Sequence, residues 1–199
     1  MILALLLAVT APQTAVDAER AFAADAQKHG QWTAFRHWAS DRATMYVPKE
    51  TDARQWLKDR KDPPLSVRWQ PAASFVSCDG SYAVNTGSWQ SPDGSVGYFT
   101  TVWMRQPDGK WRWLVDRGDT LKVARPVPGQ PRVRVASCDN PPRQHGAIVQ
   151  GMVAGGEPGD FSLIWFVKPE PNHVMRLGVF LWNGTSYDHV LADDIAMAE

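Results

Sequence analysis

Apolar residues recur at helical spacing in the first third of the chain and at alternating spacing in the middle third. Ala18, Phe22 and Ala26 stand four residues apart behind Asp17, which predicts a helix capped by Asp17 and stopped at His29-Gly30. A second helix is expected at once, with Trp32, Phe35 and Ala39 on one face and Trp38 beside them. Residues 43–48 read as a short extended piece ended by proline. Thr51 is placed to cap a third helix containing Trp56 and Leu57, with Lys58, Arg60 and Lys61 in its last turns and Pro63-Pro64 as its stop. From Leu65 the period becomes that of strands. An extended run through Val67, Trp69 and Phe75 is broken near Pro71, and strands are expected over 82–89, 97–105 and 111–121. Ser91-Pro-Asp-Gly94 and Pro107-Asp-Gly109 supply the turns of an antiparallel meander.

Residues 126–131 are proline-rich, and the domain boundary is placed there. Beyond it, residues 133–136, 161–167, 174–182 and 186–191 read as strands, with Pro169-Glu-Pro-Asn172 and Asn183-Gly184 as hairpin turns. This tail is too small to be stable alone, so it is expected to pack on the main domain. Asn183-Gly-Thr185 matches a glycosylation acceptor, but the turn explains it more simply.

Composition narrows the picture. With 21 basic and 21 acidic residues the chain offers no basic stripe for nucleic acid or an anionic membrane. Ten tryptophans point to packed aromatic walls or a pocket lining. Residues 1–10 form an apolar run too short to span a bilayer, and residues 1–16 read as a signal peptide with cleavage after Ala15 or Ala18. The expected location is therefore periplasmic or secreted, without a stable membrane anchor. Cys78 and Cys138 can pair only with each other within the chain, and an exported compartment permits that disulfide. Neither they nor the five scattered histidines have zinc-ligand spacing, and no cofactor motif occurs.

Three helices followed by a meander, together with "AFAADAQKHGQWTAF", "ASDRATMYVP", "WLKDR", "VSCDGSYAVNTGSW" and "GYFTTVWMRQPDGKWRWLVDRGD", resemble the DUF4440/SnoaL-like branch of NTF2-like domains over residues 17–122. The resemblance implies an α+β cone: helices closing one side of a curved antiparallel sheet, with a pocket between. With the apolar run and the proline-rich break, the chain divides into a signal peptide (1–16), the cone (17–124) and a C-terminal β extension (125–199). The resemblance does not imply one activity, because such folds host isomerases, cyclases, dehydratases and members without chemistry. Ketosteroid isomerases carry a catalytic Asp just before a Pro in a segment resembling "ATMYVP"; Val47 stands there. Their acidic oxyanion donor corresponds to Thr101, a far weaker acid. The isomerase pair is therefore absent.

On strand parity, Phe99, Thr101, Trp103 and Arg105 share one face, and Leu114, Asp116 and Gly118 share a face on the next strand. Asp116 is thus the carboxylate expected to face the pocket, with Arg105 near it. It is read either as a general base raised by its aromatic surroundings or as a structural acceptor bonded to Arg or Trp donors. His37 is the other candidate proton carrier, against a surface or capping role. His145, His173 and His189 show no nucleophile partner, and Arg117-Gly-Asp119 is incidental at a strand end. Three functions follow. The first is a receptacle for a small apolar or aromatic molecule, with Tyr46, Trp56, Trp69, Phe99, Trp103 and Trp113 as walls and Thr101, Arg105 and Asp116 as orienting groups. The second is a proton-transfer enzyme using Asp116 or His37. The third is an interaction module whose open sheet face forms a homodimer unless the tail covers it and keeps the chain monomeric.

Overall fold

The computed structural model describes residues 13–47, 49–141, 161–170 and 173–196. The apolar run at 1–10, His145 and the 171–172 part of the expected hairpin lie outside the described residues. The chain starts with α1 (Ala15–His29), α2 (Gln31–Trp38), β1 (Ala39–Tyr46), β2 (Glu50–Asp52) and α3 (Ala53–Leu57). The meander follows as β3 (Arg68–Val76), β4 (Tyr82–Gln90), β5 (Val96–Arg105) and β6 (Trp111–Leu121). Then come β7 (Arg132–Val135), β8 (Leu163–Glu170), β9 (Val174–Trp182) and β10 (Tyr187–Ala196). Seven strands form one sheet in the order β2-β1-β6-β5-β4-β3-β7, and β10-β9-β8 form a second. Among the described residues no helix is long and apolar enough to cross a membrane.

The helix ends differ from the expectation in instructive ways. Thr14, not Asp17, caps α1: its side chain accepts from the Asp17 amide at 3.1 Å. Ala15 and Val16 are buried, and the Ala15 carbonyl accepts from Asn85, so residues 13–16 belong to the fold. Cleavage after Ala15 or Ala18 would remove that cap and that contact. Gly30 turns the chain at φ 106° and cannot cap α2 itself. Asp62 does so from a distant segment, accepting from the Trp32 and Thr33 amides at 2.6 and 3.0 Å. A Cβ on Gly30 would meet that carboxylate at 2.4 Å. α2 ends at Trp38, so Ala39 opens β1 rather than facing inward on the helix. Asp52, not Thr51, caps α3, accepting from the Gln55 amide at 2.7 Å. α3 stops at Leu57, which leaves Lys58, Arg60 and Lys61 outside it.

Register shifts interrupt the large sheet at β1/β6, β3/β4 and β5/β6, and the last two bear on the site. β3 runs through Pro71, and the register shifts between Pro71 and Ala73, because proline cannot donate to the ladder. On β6, Asp116 pairs with Thr101 and Val115 with Val102, but Trp113 pairs with Trp103, so Leu114 is the extra residue. This shift puts Trp111, Trp113 and Asp116 on the helix side and turns Leu114 to the opposite face, where it packs with the second sheet. Strict alternation had grouped Leu114 with Asp116; the bulge separates them.

The two faces of the large sheet carry two cores. On the concave face Phe22, Phe35 and Trp38 from the helices pack on Trp69, Trp103 and Trp113. On the convex face Phe75, Val84, Val102 and Val115 pack on Trp165, Leu177, Val179, Leu181 and Ile195 of the three-stranded sheet. The tail is therefore a second layer closing a sandwich over the cone, with one exception. β7, expected in the tail, adds to the large sheet in parallel with β3. A disulfide between Cys78 and Cys138 ties the end of β3 to the segment leaving β7, and the Cys78 amide donates to Ser162 Oγ at 2.7 Å.

Candidate functional site

The concave core does not fill the cone. Between α2 and the ends of β1, β3, β4, β5 and β6 lies a cavity of about 480 Å³. Its aromatic wall comprises Trp32, Phe35, Tyr46, Trp69, Trp89 and Phe99, with Met45 and Val67 between. Val47, Ser91, Ser95 and Thr120 also line it, and Asp116 supplies a carboxyl. Gly118 lines it at a close approach of two strands, where a Cβ would meet the Tyr98 carbonyl oxygen at 2.3 Å.

Asp116 sits deep but touches the cavity. Its protein donor is Thr101, whose hydroxyl donates to Oδ2 at 3.0 Å. Burial, and then the charge of Glu19, push its pKa up to about 8, while the Thr101 bond opposes the rise. Glu19 lies behind the wall, fully buried on α1. It accepts from Trp69 Nε1 at 2.8 Å, Trp103 Nε1 at 2.7 Å and Asn85 Nδ2 at 3.3 Å. Burial raises it to about 7 against those three bonds. The tryptophan-bonded acceptor foreseen for Asp116 is thus Glu19. Its signal was in the sequence: Glu19 falls four residues after Ala15 and three before Phe22, on the buried stripe of α1.

Of the residues singled out from the sequence, Tyr46, Trp69, Phe99 and Asp116 line the cavity. Thr101 stands behind Asp116, and Trp103 and Trp113 are fully buried beneath the wall. Trp56 packs outside it, edge-on to Trp32 at 5.2 Å and under the Arg60 guanidinium at 3.4 Å. Arg105 is not beside Asp116. It is exposed at the far end of β5, donating to the Gly109 carbonyl, because the strand carries it past the core. His37 does not reach the cavity either; it is 61% exposed and bonded through Nδ1 to Asp25 at 2.8 Å. Asp25 also bonds His29 and Trp38, and those bonds hold its carboxyl below the usual range against the opposing effect of its partial burial. The sequence reading did not assign Trp32, Phe35 or Trp89 to the wall, although all three stood in recognised elements.

Among the described residues no group of three or more His, Cys, Asp or Glu side chains could hold a metal ion. No family model matches the chain, and no curated protein does. Several solved structures are similar in fold. One, from Parabacteroides distasonis and provisionally named a ketosteroid isomerase, is 16% identical with a TM-score of 0.46, covering 58% of this chain and 94% of that one. An NTF2-like protein of unknown function from Shewanella baltica is 18% identical at 0.40, covering 55% and 98%. Another protein provisionally named a ketosteroid isomerase, from Shewanella frigidimarina, is 16% identical at 0.39, covering 53% and 95%. Likeness this distant says nothing of chemistry, which has to come from the residues.

Proposed function

We propose that this protein is a receptacle for a small apolar or aromatic molecule, held in the concave cavity with Asp116 as its polar anchor. One observation carries the reading: a cavity of about 480 Å³ lined by six aromatic side chains and by Asp116. Its volume falls in the ordinary range for ligand pockets, about 300–1,000 Å³. Export to the periplasm or medium is part of the proposal and rests on the apolar run at 1–10. Packing of the convex face under the second sheet supports a monomer. Ligands entering the cavity should change intrinsic fluorescence, because Trp32, Trp69 and Trp89 line it. A broad panel of charged and neutral aromatic compounds giving neither quenching nor a thermal shift would sink the proposal.

A second reading, proton transfer by Asp116, is favoured by one feature. The carboxyl meets the cavity and titrates near 8, within working range of a general acid or base. Turnover of a candidate substrate by the wild type and by Asp116→Asn separates the two; equal rates remove Asp116 from any mechanism.

A further inference from the structure

A cavity that holds a small molecule selects it by charge as well as by shape. Here three charged residues line it, two acidic and one basic: Asp116, Asp119 and Arg117. Every donor to Asp116 and Glu19 is neutral: a threonine hydroxyl, two indoles and a carboxamide. Arg117 and Asp119 border the cavity, but Arg117 is only 2% exposed and both have polar atoms engaged on the far side. Arg117 donates to the Met175 carbonyl and Asp119 accepts from the Ala196 amide, both toward the second sheet. On α1, Arg20 is exposed and reaches Gln130; on α2, Gln31 uses its Oε1 on the Val67 amide. On β1, Met45 stands opposite Asp116 in register and carries no charge.

The tryptophans reinforce this. Trp69 spends its indole N–H on Glu19 and Trp89 spends its own on the Tyr98 carbonyl. What they keep for a ligand is ring surface, whose faces carry the negative part of the quadrupole. An aromatic wall around one carboxyl, with a second carboxyl behind it, attracts a cation and repels an anion.

Resting on the pocket reading above, we propose that the ligand's polar end is an ammonium group, seated against Asp116 and the indole faces. Binding then requires Asp116 as a carboxylate, and the proton it gives up passes to solvent. Apart from that O–H bond, no covalent bond changes.

The test uses the full chain and two probes of equal shape, phenyltrimethylammonium and tert-butylbenzene, which differ only in charge. Calorimetry at pH 9 should show the ammonium binding about tenfold or more tightly than its neutral twin. Its affinity should rise by about a hundredfold between pH 6 and pH 9, since Asp116 goes from almost wholly protonated to almost wholly ionised across that range and the probe itself does not titrate. At pH 7 its binding should release protons, read from heats in buffers of different ionisation enthalpy. Asp116→Asn should abolish the preference for charge while keeping the neutral probe. If that variant fails to fold, the wild-type pH series decides alone: an affinity that is flat or falling overturns the proposal. Equal or tighter binding of tert-butylbenzene overturns the ammonium assignment and leaves the pocket reading standing. Binding of neither probe overturns both.

Discussion

The two faces of the seven-stranded sheet handle buried acid in opposite ways. On the convex face Asp193 is 2% exposed and meets Arg125 at 2.6 Å, with the Thr100 hydroxyl on its other oxygen at 2.6 Å. The Arg125 guanidinium also stacks 4.0 Å over Tyr98, whose hydroxyl donates to the Asp194 carbonyl. That side is filled and its charge is answered. On the concave face Glu19 and Asp116 have neutral donors only, and a cavity opens beside them. A buried carboxylate with a cation is structural cement; one without a cation waits for a proton or a ligand.

The largest expected effect tests Glu19. Glu19→Ala orphans two indole N–H groups and the Asn85 amide in a site without water access, and should cost about 3–5 kcal/mol in urea unfolding. Glu19→Gln keeps an acceptor and should lose much less. On the opposite face, Leu177→Ala should cost about 3 kcal/mol and do so in one cooperative transition with the cone. A separate early transition of the tail would show that the convex layer is not part of one unit. Replacing both Cys78 and Cys138 by Ser should cost about 2–4 kcal/mol, chiefly by freeing the closed loop in the unfolded chain.

The pH dependence sharpens the contrast further. Glu19 and Asp116 are raised above their unfolded values of 4.5 and 3.8 to about 7 and about 8. The folded state therefore holds protons that the unfolded chain has lost, and stability falls as pH rises from about 4 to about 8. Thermal melts from pH 5 to pH 8 should show a declining Tm, and Asp116→Asn should flatten the slope. Smallest of all, His37→Ala should change stability by less than about 0.5 kcal/mol and leave ligand binding intact, since its ring is largely solvated. A large loss of binding in that variant would restore His37 to the site.

Much of this architecture was legible along the chain. The helical stripe of α1 and the turns at 91–94 and 107–109 are local signals, and they predicted the helices-then-meander order that the structure has. The pairing of Cys78 with Cys138 was the single intramolecular option the count allowed. Site residues were only partly legible. Phe99 and Asp116 reach the cavity on the parity expected of them, and Tyr46 and Trp69 as aromatic walls; Leu114 and Arg105 were misplaced because parity cannot foresee a bulge or how far a strand outruns its core.

What the sequence determined by itself was therefore element type and order, since periodicity, caps and turns act within a few residues. Tertiary structure alone decided three things. It brought Asp62 to cap α2 from 30 residues away. It laid the tail over the convex face, a choice made by matching two apolar surfaces that no local pattern links. And it set Glu19 behind Asp116, which turned two ordinary carboxyls into a coupled pair beside an aromatic cavity. Burial and charge act through space, and only the folded chain sets those distances.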